Sequence, residues 1–168
     1  MYEQGFARTT LAEIAQAAQV PLGNVYYYFK TKDAVGQAVV RRRADHYRTL
    51  RQTWDSDPDP RARLAAFVEM TIDNRASLAD HGCPIGSLCQ ELHKQGGPLA
   101  EQASQMFSEW LEWLEAQFRA LKQGRDSPHL ALHLLAATQG ASLLAHSFRD
   151  PQYVVAEARA LKEWLRAV

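Results

Sequence analysis

Apolar residues recur along this chain every three or four positions, the period of an α-helix with one buried face. Leu11, Ile14, Ala15 and Ala18 form one such stripe. Phe107, Trp110, Leu111, Leu114, Phe118 and Leu121 form a longer one. The alternating β-branched runs and Asn-Gly or Asp-Gly turns that announce hairpins are absent. Helices are predicted near 10–17, 21–28, 32–54, 61–80, 85–95, 98–122, 128–148 and 151–167, so the fold class is all-α. Proline and glycine mark the breaks, as in "SDPDP" at 56–60, "HGCP" at 81–84, "QGGP" at 95–98 and "QGRDSP" at 123–128. The first of these is read as dividing a head, residues 1–50, from a body, residues 51–168. The long helix before it connects the two.

The head carries the sharpest local signals. Thr10 and Glu13 have the spacing of a capping box, with Thr10 as N-cap and Glu13 three residues into the helix. Pro21 suits the first turn of a second helix. Thr31 can cap a third, with Asp33 complementing its dipole. Two short helices joined by a three- to four-residue turn have the pattern of a helix-turn-helix.

The second helix holds "GNVYYYF", residues 23–29. Successive helical side chains are ~100° apart, so four adjacent aromatics cannot share one buried face. Val25, Phe29 and part of Tyr28 fall on a side fit for a core. Gly23, Asn24, Tyr26 and Tyr27 fall on the other. Such a face can lie in a major groove, with tyrosine hydroxyls on phosphates and Asn24 at a base edge. Lys30 and Lys32 follow and can neutralise phosphates. The competing reading makes all four aromatics the core of an ordinary helical protein.

Charge sharpens this picture. The chain's 168 residues are neutral overall, 46% hydrophobic and 23% charged, as expected of a packed globular chain. Residues 1–50 hold seven Lys/Arg against four Asp/Glu, a net +3, which leaves −3 for the remainder. A positive head on an acidic body fits an anionic partner for the head. No apolar run approaches the ~20 residues of a membrane span. The opening "MYEQGFARTT" does not read as a signal peptide, and two cysteines make no disulfide scaffold, so a cytoplasmic location is expected.

The stretch "TTLAEIAQAAQVPLGNVYYYFKTKDAV" closely resembles the DNA-binding head of the tetracycline-repressor-like (TetR) family of bacterial regulators, from Gly5-Phe6 to about Val39. The resemblance implies a homodimeric transcriptional repressor on a near-palindromic double-stranded DNA operator, with a variable ligand-binding body. It also implies DNA contacts from Thr10, Leu22, Gly23, Asn24, Tyr26, Tyr27 and Lys32, with Tyr26 and Lys32 on phosphates. Family heads open with a full helix before the Gly-Phe pair. Here "MYEQ" alone precedes it, which implies a truncated first helix. Gln19 stands where the family often has glycine, and Leu22 where a basic or polar residue is frequent. The alternative is a small-molecule-binding or protein-interaction module that keeps the helix-turn-helix as scaffold.

In the body, "HGCPIGSLCQEL" resembles a sub-group whose members sense electrophiles or oxidants through a cysteine near the Cys83 position. A helix N-terminus and the nearby His81 favour a thiolate there. The plainer reading is a small buried apolar residue, which suits Cys89 too. Trp110, Trp113 and Phe107 are core or the wall of an apolar pocket, faced by Phe67, Met70, Leu88, Leu92 and His93. A small apolar or aromatic effector, or an electrophile, is the expected ligand. His129 and His133 are spaced to share a metal but have no evident third ligand, so neither metal nor cofactor is expected. The last two helices suit a subunit interface through Ala137, Gly140, Ala141, Leu144, Leu161 and Trp164, or plain intrachain packing. No catalytic constellation or phosphate-cradling loop stands out, so an enzyme is not expected.

Overall fold

The computed structural model describes residues 2–122 and 124–168. Met1, in the "MYEQ" segment, and Gln123, in the predicted break at 123–128, lie outside the described residues. Among those described, nine α-helices and one 3-10 turn account for the regular structure, without a strand. They are α1 (Leu11–Ala17), α2 (Leu22–Tyr28), α3 (Lys32–Trp54), α4 (Pro60–Asp73), α5 (Arg75–His81), α6 (Pro84–Gln95), α7 (Pro98–Ala120), α8 (Ser127–Phe148) and α9 (Gln152–Ala167). The 3-10 turn, Gly124–Asp126, leads into α8. No described helix is long and apolar enough to cross a membrane.

The predicted helix over 61–80 is two. Near its middle, Asn74 Nδ2 donates to the Met70 carbonyl at 2.7 Å and Arg75 Nη1 to the Ile72 carbonyl at 3.0 Å. The Met70 carbonyl still accepts from the Asn74 N–H at 3.2 Å, so the side-chain bonds add to the backbone bonds of this last turn, and the helix breaks at Asn74. The α1–α2 turn is a complete Schellman motif. The Gln19 N–H donates to the Gln16 carbonyl and the Val20 N–H to the Ala15 carbonyl, both at 3.0 Å. Gln19 takes the left-handed conformation the motif requires, with φ 55°.

α3 is unbroken over 23 residues, about 34 Å at 1.5 Å per residue. It runs from the end of the head into the body, where Tyr47 and Arg51 fix it to α7. The Tyr47 and Trp110 rings meet edge-on at 5.5 Å. Arg51 pairs with Glu109 at 2.7 Å and lies over Trp110 at 5.0 Å. The main core is a bundle of α4, α7, α8 and α9, centred on Leu64, Val68, Leu114, Phe118, Leu134 and Leu165. The segment ahead of α1 forms turns that pack onto this frame. Phe6 is buried against Gly36, whose hydrogen a methyl could not replace: a Cβ there would lie 2.8 Å from the Phe6 ring.

Candidate nucleic-acid interface and body cavity

The helices on either side of α2 are fixed by side-chain caps. Thr10 caps α1 as the sequence pattern requires: its Oγ1 accepts from the Glu13 N–H at 3.2 Å, and Glu13 Oε2 accepts from the Thr10 N–H at 2.7 Å. That backbone bond, with a second from the Thr10 hydroxyl, holds the Glu13 carboxyl below its ordinary range. Thr31 caps α3, its Oγ1 accepting from the Ala34 N–H at 3.1 Å. Between these fixed ends α2 turns Val25 inward, 7% exposed. Leu22, Gly23, Asn24, Tyr26 and Tyr27 all face solvent, Tyr26 at 49% and Tyr27 at 72%. A Cβ at Gly23 would meet nothing within 4 Å, so a flat surface can approach the backbone closely there.

Two placements differ from the sequence expectation. Tyr28 is 75% exposed rather than partly in the core, because α2 ends at this residue and Phe29 leaves in an extended conformation. Its ring stands edge-on to Tyr27 at 5.0 Å, enlarging the outward aromatic surface. Lys32 already has partners: Nζ donates to the Ala7 carbonyl at 2.7 Å and lies 4.9 Å above the Phe6 ring. It ties the segment ahead of α1 to α3, and its remaining ammonium protons are those free for a phosphate.

Beneath the head lies a cavity of about 590 Å³ enclosed by α3 to α8. Phe67 and Met70 of α4, Cys83 at the cap of α6, and Phe107 and Trp110 of α7 line it. Arg43, His46, Tyr47, Leu50 and Trp54 come from α3, and Thr138, Gln139 and Ser142 from α8. Tyr2 closes one side, donating its hydroxyl proton to the Gly82 carbonyl at 2.7 Å. Burial pushes the Tyr2 phenol up. It pushes Tyr47 to about 12, and the Cys89 thiol to about 11. Cys83 is partly exposed at the cavity wall, its Sγ accepting from the Gly86 N–H at 3.4 Å.

Residues 1–39 match the family described as bacterial regulatory proteins, tetR family. Residues 60–161, more than half of the chain, match the tetracyclin repressor-like C-terminal domain. The chain belongs to the TetR family. Its relatives include the HTH-type transcriptional repressor NemR of Escherichia coli strain K12, 27% identical over 128 residues. That match takes in 74% of this chain and 63% of NemR, so the chain spans under two thirds of that relative. The HTH-type transcriptional repressor DhaR of Mycobacterium sp. strain GP1 is 27% identical over 152 residues, 84% of this chain and 74% of DhaR. A TetR transcriptional regulator from Legionella pneumophila has the same fold, with a TM-score of 0.85 at 18% identity over 96% of this chain and 89% of its own.

Within this TetR fold, four residues expected at the pocket stand away from it. The cavity touches α6 only at its first turn, so Leu88, Leu92 and His93 lie beyond reach. Leu88 lines a separate crevice near Phe6, Leu92 is core, and His93 is exposed beside Ser104. Trp113 is one turn past Trp110 and faces the end of α3 instead, where its Nε1 donates to Asp55 Oδ1 at 3.0 Å. The α3 residues were missed because they belong to a helix assigned to the head. Their signal was the stripe Arg43, Tyr47, Leu50, Trp54, which reads equally as core.

The expected subunit face divides. Leu161 is 2% exposed and Ala141 is buried, both packed within the chain; Trp164 packs on Phe118 and His133. Ala137 is half-buried, and Gly140 and Leu144 are exposed. With them, Leu132, Ala136 and Phe148 recur every four residues along the open side of α8. Tyr153, Ala156 and Ala160 continue this surface on α9. Among the described residues no three His, Cys, Asp or Glu side chains converge as a metal site.

Proposed function

We propose that the chain binds double-stranded DNA as a homodimeric transcriptional repressor, and that a small ligand in the body cavity or modification of Cys83 releases it. One observation carries the reading: α2 buries Val25 and turns Gly23, Asn24, Tyr26 and Tyr27 outward. Hydroxyls and lysines position a protein on phosphates, while an exposed amide beside a glycine reads base edges. Two copies paired through the open faces of α8 and α9 present two such helices to successive major grooves. An occupant of the cavity touches Tyr47 and Trp54 of α3, the helix that follows α2, so two states of the body become two separations of the recognition helices.

The test is a mobility shift with duplex DNA from upstream of the protein's own gene, against a scrambled duplex. The wild-type protein shifts the upstream duplex at concentrations that leave the scrambled one free. Asn24→Ala costs about 1–3 kcal/mol on the upstream duplex with little change on the scrambled one. Equal loss on both removes Asn24 from base reading, and no shift at all rejects the proposal.

A further inference from the structure

Among the described residues Arg43 is the one arginine that lines the cavity. It is half-buried, its guanidinium lies 6.0 Å from the Tyr2 ring and 6.0 Å from the Tyr47 ring, and it shares a side-chain hydrogen bond with Tyr47. Among the described residues no carboxylate lies within ion-pair distance of it. The other arginine of α3 that enters the body, Arg51, is neutralised by Glu109. The two acids on the cavity wall do not take its place. Glu69 is paired with Lys162, and Asp73 is exposed at the end of α4. A partly exposed guanidinium among rings without a counter-ion gains little stability from its charge. It is, however, a ready receptor for a carboxylate, which it can meet with two parallel N–H donors.

We infer that the effector is a small flat carboxylate, its acid group on Arg43 and its apolar part against Tyr47, Phe67 and Trp110. This inference rests on the proposed effector role of the cavity and names the ligand's chemistry. The apolar side is built for a ring or conjugated chain. Phe67 and Trp110 meet at 5.0 Å, and Tyr47 and Trp110 at 5.5 Å, forming a continuous aromatic wall. A cation is disfavoured at this wall, because the Trp110 ring already carries the Arg51 guanidinium at 5.0 Å. Arg43 stands on α3, so the acid is gripped by the helix that leads into the head. A neutral analogue of the same shape occupies the same wall without that hold. The carboxylate therefore adds a charged hold on α3 to the contact the ring makes with Tyr47.

Titration calorimetry with 2-naphthoate and the isosteric neutral 2-naphthamide tests this directly; neither probe is an electrophile, so Cys83 takes no part. The wild-type protein binds the acid about tenfold or more tightly than the amide, the worth of a charge-assisted hydrogen bond. Arg43→Met removes that preference and keeps the amide affinity, and Arg43→Lys restores part of the preference; far-UV circular dichroism checks that both variants fold. Equal binding of the two probes by the wild-type protein overturns the inference. So does an acid preference that survives Arg43→Met, or no binding of either probe. A parallel mobility shift on the wild-type protein separates the two readings. A shift of upstream DNA with no acid preference defeats the inference alone, whereas no shift defeats the proposed function whatever the probes do.

Discussion

Gln19 sits at φ 55°, in the turn between α1 and α2, where a side chain crowds the following carbonyl and glycine does not. The Schellman hydrogen bonds around it hold it there. Gln19→Gly is therefore expected to stabilise the chain by about 0.5–1 kcal/mol, read as a rise in denaturation midpoint. A lower midpoint would show that the loss of unfolded-state order outweighs the relieved strain. Gln19 was flagged by the family resemblance, which often places glycine there; Thr10, Glu13 and Thr31 were legible in the sequence itself, because caps depend on neighbours within four positions. Tyr28 was not. Its exposure follows from where α2 stops, and the helical wheel carries no such information. Lys32 was half legible: its place beside the recognition helix was readable, but its bond to Ala7 depends on how the segment ahead of α1 folds back.

Whole helices followed the periodicity closely, since apolar stripes and Pro/Gly breaks are strong signals over long windows. The exception, the break at Asn74, falls where the Asn74 and Arg75 side chains bond to backbone carbonyls, and the apolar period runs on through it intact. Helix α8 shows the opposite difficulty. Its apolar residues go all the way round, so periodicity could not divide its core face (Ala141, Ala145) from its open face (Gly140, Leu144). The open face is the proposed subunit contact, and Gly140 is its sharpest probe. Apart from its own turn of helix, nothing among the described residues lies within 4 Å of a Cβ placed there, and replacing a helical glycine raises helix propensity by up to about 1 kcal/mol. Gly140→Arg should leave the fold intact and convert the proposed dimer to a monomer in size-exclusion light scattering. An unchanged dimer mass would move the interface elsewhere.

The molecule as a whole is organised by α3. It follows α2, lines the cavity and is pinned to α7 by Tyr47 and Arg51. That arrangement was the least legible part of the sequence, because it joins residues distant along the chain. The stripe at Arg43, Tyr47, Leu50 and Trp54 was visible, but its opposite wall was not. The account's central claim is that the outward face of α2 meets DNA, and Tyr27 tests it most directly. At 72% exposed, its ring can be removed at little cost to folding. Fluorescence anisotropy with a labelled upstream duplex should show Tyr27→Ala binding about tenfold more weakly, the worth of one hydrogen bond to a charged oxygen, with its melting temperature essentially unchanged. An affinity equal to that of the wild-type protein would contradict the claim.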